Sequence, residues 1–170
     1  CADLALKQDG YGEILSEADV IIVDEAHQLA ETASVFFSTQ LSTKQFHDWV
    51  DDINKAIAVE AADFSGHDTA CDALVRALAE LRKALPKANQ RYALSEFDEN
   101  PIITGFYEEI HEITKTLIKI VEPLKVRHQV FPKLVERLEE LANTWKNLLL
   151  QESTKENAVN WLETYSVNIA

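Results

Sequence analysis

The sequence predicts a mainly α protein: an antiparallel helical bundle with short β-strands at both ends that belong to an incomplete α/β domain. Three observations predict it. Four apolar stripes recur at helical spacing between residues 42 and 150. A continuous β-branched run, Val20-Ile21-Ile22-Val23, precedes them, and a period-2 stretch follows them from about residue 159. Only 4 Gly and 4 Pro in 170 residues argue against disorder and against a turn-dense β-sandwich.

The first strand is read from Val20–Val23, bounded by Asp19 and by Asp24-Glu25. An unbroken apolar run suits a strand covered on both faces, as in a parallel α/β sheet. A helix is expected to follow from about Ala30 to Phe37. A lone parallel strand cannot satisfy its own backbone, so this one expects neighbours that the chain does not obviously supply.

Four helices come next. Ser42 and Gln45 form a capping-box pattern, and Phe46, Trp49, Val50, Ile53 and Ile57 follow at helical spacing, with Ser65-Gly66 as the stop. The second stripe is Cys71, Leu74, Val75, Leu78, Leu81 and Leu85, ended by Pro86. Residues 86–100 read as a polar link with an apolar patch at Tyr92, Leu94 and Phe97. The third helix starts at Asn100-Pro101, with Pro in the first turn, and presents Ile102, Phe106, Ile110, Ile113, Leu117 and Ile120/Val121. The fourth follows Pro132 with Leu134, Leu138, Leu141, Trp145, Leu148 and Leu149. A bundle is the economical way to bury four such faces. From Val159 to Ile169 the period changes to 2, which predicts a strand that the chain end cuts through. Trp49, Trp145 and Trp161 are expected in the core.

Composition narrows the function classes. Apolar residues are 46 %, enough for a substantial core, and no apolar run nears the roughly 18 residues of a membrane span, so no membrane association is expected. The net charge is −13, divided as −7 over residues 1–40, −4 over 41–150 and −2 over 151–170. Unaided high-affinity DNA binding is not expected of such a surface unless positive charge is locally concentrated. Methionine is absent and the chain starts at Cys1, which favours an internal fragment of a longer protein. Cys1 and Cys71 are the two cysteines, without metal-ligand spacing, and are expected to be reduced thiols in a cytoplasmic protein. A helical lipoprotein lipidated at Cys1 is a further reading.

The run Ile21-Ile22-Val23-Asp24-Glu25-Ala26-His27 carries the chemistry. It sets two adjacent carboxylates at the C-terminal end of an apolar strand, where open α/β sheets bind ligands. Asp24 can hold Mg²⁺ through water, because Mg²⁺ is a hard ion that keeps several waters. Glu25 can orient and deprotonate a water attacking a γ-phosphate. His27 can couple the phosphate state to a neighbouring element. A bare Asp-Glu pair more often marks a solvated turn or a helix N-terminus; the whole string is much more specific.

The stretch VIIVDEAHQL, Val20 to Leu29, resembles the DEAH box of superfamily 2 helicases. With Ala2-Asp3-Leu4-Ala5-Leu6 before it, it resembles the DinG/XPD (Rad3-like) DNA helicases, the YoaA-type branch in particular, over about residues 2–41. In that family a helical arch is inserted in the first motor domain after the DEAH strand. The resemblance therefore implies three parts: motor domain 1 over residues 1–40 with its Walker-B strand, an arch-like domain over 41–150, and a return strand to the motor over 151–170. It also implies a parent enzyme of DNA repair that couples ATP hydrolysis to unwinding, with ATP, Mg²⁺ and a 4Fe-4S cluster as cofactors and single-stranded DNA as partner.

The departures are as informative. No GxxxxGK[ST] occurs, since Gly10, Gly12, Gly66 and Gly105 are not followed by the required Lys. The family's four cluster cysteines have no counterpart. This piece alone is expected neither to hydrolyse ATP nor to unwind DNA. A homodimer through cut strand edges is also expected to be feasible. The alternative function is a non-enzymatic helical interaction module.

Two weaker patterns lie in the helices. Glu108-Glu109-Ile110-His111-Glu112 holds a Glu-x-x-His, but no second copy, so a solvated charged face is the better reading. Lys115, Lys119, Lys125, Arg127, His128, Lys133 and Arg137 form a basic stretch that bridges the third and fourth helices. Lys115, Lys119, Lys125, Arg127 and Lys133 are candidate DNA contacts. An ordinary mixed surface is the competing reading.

Overall fold

The computed structural model describes residues 26–29, 38–86, 90–150 and 160–165. The chain divides into two compact units, Cys1–Gln40 and Leu41–Ala170. In the first, a short 3-10 turn spans Ala26–Gln28 and its residues are exposed. The strand expected at 20–23 and the helix expected at 30–37 lie outside the described residues.

The second unit is built on four long helices among the described residues: α1 (Thr43–Glu60), α2 (Asp68–Ala84), α3 (Pro101–Val121) and α4 (Val130–Leu149). α2 packs chiefly on α3, α3 on α4 and α4 on α1, with lighter contact between α1 and α2. Cross-helix pairs fix the direction: Phe46 meets Trp145 and Asp52 meets Arg137, and Glu60 at the end of α1 meets His128 just before α4. Rising numbers on α1 meet falling numbers on α4, so the two run antiparallel, as short links require.

Local chemistry sets the helix ends. The Ser42 N–H donates to Gln45 Oε1 at 2.7 Å, the reciprocal arm of a capping box. α1 stops at Glu60, five residues before the expected Ser65-Gly66 stop; Gly66 instead takes φ +100° in the turn to α2, a conformation that favours glycine. Asn100 Oδ1 accepts from the Ile102 and Ile103 N–H groups at 3.1 and 3.4 Å and caps α3. α3 passes directly into a 3-10 turn, Glu122–Val126. α4 begins at Val130 rather than after Pro132, because Pro132 falls in the first turn, where its missing N–H costs no helical bond.

The core collects Phe46, Trp49, Ile53 and Ile57 of α1, Cys71, Leu74, Leu78 and Leu81 of α2, and Phe131, Leu134, Leu138 and Trp145 of α4. The α1 stripe matches the expected one residue for residue. The α3 stripe is rotated: Ile103, Tyr107, Ile110, Thr114, Leu117 and Val121 are buried, and Ile102 is 65 % exposed. α3 offers two adjacent apolar rows, and packing between two neighbouring helices selects the row that includes Tyr107 and Thr114. Thr114 is tolerated there because its hydroxyl donates to the Ile110 carbonyl at 2.7 Å. Two indole N–H groups are satisfied across helices: Trp49 Nε1 donates to Leu134 O at 2.7 Å and Trp145 Nε1 to Tyr107 O at 2.9 Å.

A two-stranded antiparallel sheet closes one side. β1 (Gln90–Ala93) pairs with β2 (Trp161–Thr164), with Arg91 opposite Glu163 and Tyr92 opposite Leu162. β2 lies within the expected terminal strand, while β1 falls in the stretch read as a polar link. Tyr92 and Leu162 turn toward the core, and Tyr92 meets Phe97 edge to face at 5.9 Å. Trp161 is on the other face and is 39 % exposed, against the core position expected for it. The Arg91 guanidinium lies over its ring at 4.9 Å and pairs with Glu163. The strand pairing puts odd-numbered residues 91, 161 and 163 outward, which spacing alone does not reveal.

Cys71 is a buried free thiol whose pKa is pushed up to about 11, first by burial and then by Asp68 and Asp72. The folded state holds this proton more tightly than the unfolded chain. Its contribution to stability is therefore complete below about pH 9 and lost as the pH rises toward about 11. Thermal unfolding should show stability falling through this window. Cys71→Ala should flatten the first part of the fall and leave the part due to Tyr107, whose hydroxyl is raised to about 12 by burial. An unchanged slope in the variant would contradict the assignment.

Candidate functional site

His27 sits in the 3-10 turn Ala26–Gln28 with its side chain exposed. Asp24 and Glu25 lie outside the described residues. Among the described residues no group of three or more His, Cys, Asp or Glu converges as a metal site. Glu108, Glu109 and Glu112 are exposed, in keeping with a solvated face.

The basic stretch is distributed over three elements. Lys115 and Lys119 are on α3, Lys125 and Arg127 follow it, and Lys133 and Arg137 are on α4. Most of these cations meet an acid. Arg127 grips both Asp63 oxygens at 2.7 and 2.8 Å, which holds that carboxyl below the usual range. Arg137 pairs with Asp52 at 2.7 Å and Lys115 with Glu112 at 2.8 Å. Lys125 reaches Glu122 at 3.1 Å and Glu139 at 3.5 Å, and these acids raise its pKa. These are exposed pairs, worth little to stability, but they cancel local positive field. Among the described residues Lys119 and Lys133 carry no ion pair and keep their charge available.

α3 and α4 also flank an open surface cleft of about 310 Å³, lined by His111, Lys115, Ile118, Glu139, Ala142, Asn143 and Lys146. His111 is half-buried, and its Nδ1 has no hydrogen-bond partner. Burial lowers its pKa first, then Lys115 and Lys146, with Glu112 opposing. The sequence reading missed Asn143 and Lys146. The signal was slight: His111 and Lys115 are four apart, Asn143 and Lys146 three apart, so each pair shares a face. Only the packing of α3 on α4 joins the faces.

Sequence relatives give the class: the chain is similar to part of ATP-dependent DNA helicases. The particular relatives are two YoaA proteins. The chain is 29 % identical over 168 residues to the ATP-dependent DNA helicase YoaA of Haemophilus influenzae, covering 98 % of this chain and 26 % of that protein. It is 38 % identical over 102 residues to the ATP-dependent DNA helicase YoaA of Escherichia coli, covering 60 % of this chain and 16 % of that protein. The chain thus spans about a quarter or less of the relatives it matches. No protein-family model matches the chain, and no solved structure matches it. The resemblance to YoaA-type helicases read from about residues 2–41 is borne out. No helix among the described residues is long and apolar enough to cross a membrane.

Proposed function

We propose that the chain is an internal segment of a cytoplasmic ATP-dependent DNA helicase of DNA repair. It carries the Walker-B residues of the first motor domain, a helical arch-like insertion over 41–150, and the return toward the motor over 151–170. The similarity that runs through 98 % of the chain to a helicase, with Asp24-Glu25-Ala26-His27 inside it, supports this reading most strongly. Asp24 would hold Mg²⁺ through water, Glu25 would take the proton of the attacking water, and His27 would couple the nucleotide state to DNA. Lys119 and Lys133, and more weakly the paired Lys115, Lys125 and Arg127, would lie along single-stranded DNA.

An iron–sulfur cluster of the parent would take its ligands from outside this chain. A cluster needs about four thiolates, and Cys71 is a single thiol locked in an apolar core. The full-length protein should hydrolyse ATP when Mg²⁺ and single-stranded DNA are present. The 170-residue chain should not, because its sequence lacks the phosphate-cradling GxxxxGK[ST]. Steady-state phosphate release from both decides it: equal rates, or no DNA-stimulated rate in the full-length protein, would overturn the proposal.

A further inference from the structure

We propose that the α3–α4 cleft walled by His111, Lys115, Asn143 and Lys146 binds a phosphoryl oxyanion. The cleft offers hydrogen-bond donors with few acceptors to answer them. Each lysine brings three N–H donors and no acceptor, and Asn143 brings an amide NH₂. The His111 ring lines the same wall, with its Nδ1 buried and without a partner, as are His67 Nδ1 and the Tyr107 hydroxyl. A single oxygen-rich anion answers the two ammonium groups and the Asn143 amide, with the His111 ring beside it.

The charge balance points the same way. The chain is strongly acidic at −13, and about half of the described lysines and arginines between residues 41 and 150 pair with an acid. Lys44 pairs with Asp48, Lys83 with Glu80, Arg127 with Asp63 and Arg137 with Asp52. Lys146 has no ion pair among the described residues and faces the cleft. Glu139 is the acid on the cleft wall, and Lys125 engages it at 3.5 Å. Glu112 engages Lys115 at 2.8 Å. Ile118 and Ala142 supply apolar wall, which strengthens whatever charge remains.

The groups that face His111 are Lys115 and Glu112 from α3 and Lys146 from α4, with Glu139 on the same wall. The two cations and burial hold its pKa below the ordinary value. An anion seated between them reverses that field, so binding should raise the His111 pKa and draw up a proton. This inference shares Lys115 with the proposed DNA path, but a response to inorganic phosphate does not depend on the helicase reading. Inorganic phosphate, a nucleotide phosphate and a nucleic-acid backbone share the chemistry.

The test is NMR titration of the histidine rings of the 170-residue chain, with His111 assigned through His111→Gln. It is run alone, with inorganic phosphate, and with a short oligothymidylate. The expected result is an upward pKa shift of His111 while the other four histidines stay put. Lys146→Gln removes a charge-assisted contact and should weaken binding about tenfold. Lys146 is exposed, so this variant keeps its thermal stability. Lys55→Gln on α1 should bind as the parent chain does. A shift with the oligomer alone identifies a nucleic-acid backbone as the source, and a shift with inorganic phosphate alone a free phosphate. No shift of His111 with either, or equal weakening by Lys146→Gln and Lys55→Gln, would overturn the proposal.

Discussion

Glu25→Gln in the full-length protein is expected to lower ATP turnover by about 10²–10⁴-fold while leaving ATP binding intact. A glutamine fills the same space and can still orient a water. It cannot accept the proton that the water must lose as it attacks the γ-phosphate. Asp24→Asn should act differently, because a neutral amide is a poor partner for a hard divalent ion; nucleotide affinity should then become less dependent on Mg²⁺. A kcat measurement beside an equilibrium nucleotide-binding titration separates the two effects. Unchanged turnover in Glu25→Gln would remove the proposed role of the acidic pair and with it the enzyme reading.

Trp49→Ala should destabilise the bundle by about 3–5 kcal/mol. Trp49 is fully buried on α1, and its indole N–H reaches across to Leu134 O on α4 at 2.7 Å. The substitution leaves a large cavity and deletes a bond that ties two helices together. The loss is comparable to a large share of the stability of an ordinary domain, and the midpoint should drop on the order of 10 °C. Trp49→Phe should cost less, about 1–2 kcal/mol, because most of the ring volume stays and the hydrogen bond goes. Val126→Ala, at a position 92 % exposed, should change stability by about 0.5 kcal/mol or less. Denaturant unfolding of the three variants is the check, and a Trp49→Ala cost below that of Val126→Ala would refute this account of the core.

How much was legible in the sequence varies with how far each feature depends on partners distant in the chain. The five buried residues of α1 could be read from spacing because one clean stripe admits one buried face. The start of α3 at Asn100-Pro101 could be read because a first-turn Pro is a local signal, and the Asn100 cap found there is a contact within three residues. On α3 two apolar rows compete, and the sequence did not say which row faces the neighbours; the packing buried the Ile103–Tyr107–Thr114 row and exposed Ile102. β1 escaped notice because Gln90-Arg91-Tyr92-Ala93 has little strand pattern of its own. Its hydrogen bonds come from residues about seventy positions later.

The candidate sites divide in the same way. Asp24, Glu25 and His27 stand next to one another, so their likeness to a helicase box is a property of the string itself. The basic stretch was equally visible, but its meaning was not. Asp52, Asp63 and Glu139 come from distant positions or from another turn, and they quench much of it. The sequence by itself determined the helical class, the caps, the α1 face and the acidic box, because those depend on neighbours within a few residues. Only the tertiary structure decided the α3 row, the Arg91–Trp161 face and the cleft that brings His111 to Lys146, because each needs two segments far apart in the chain to meet at packing distance.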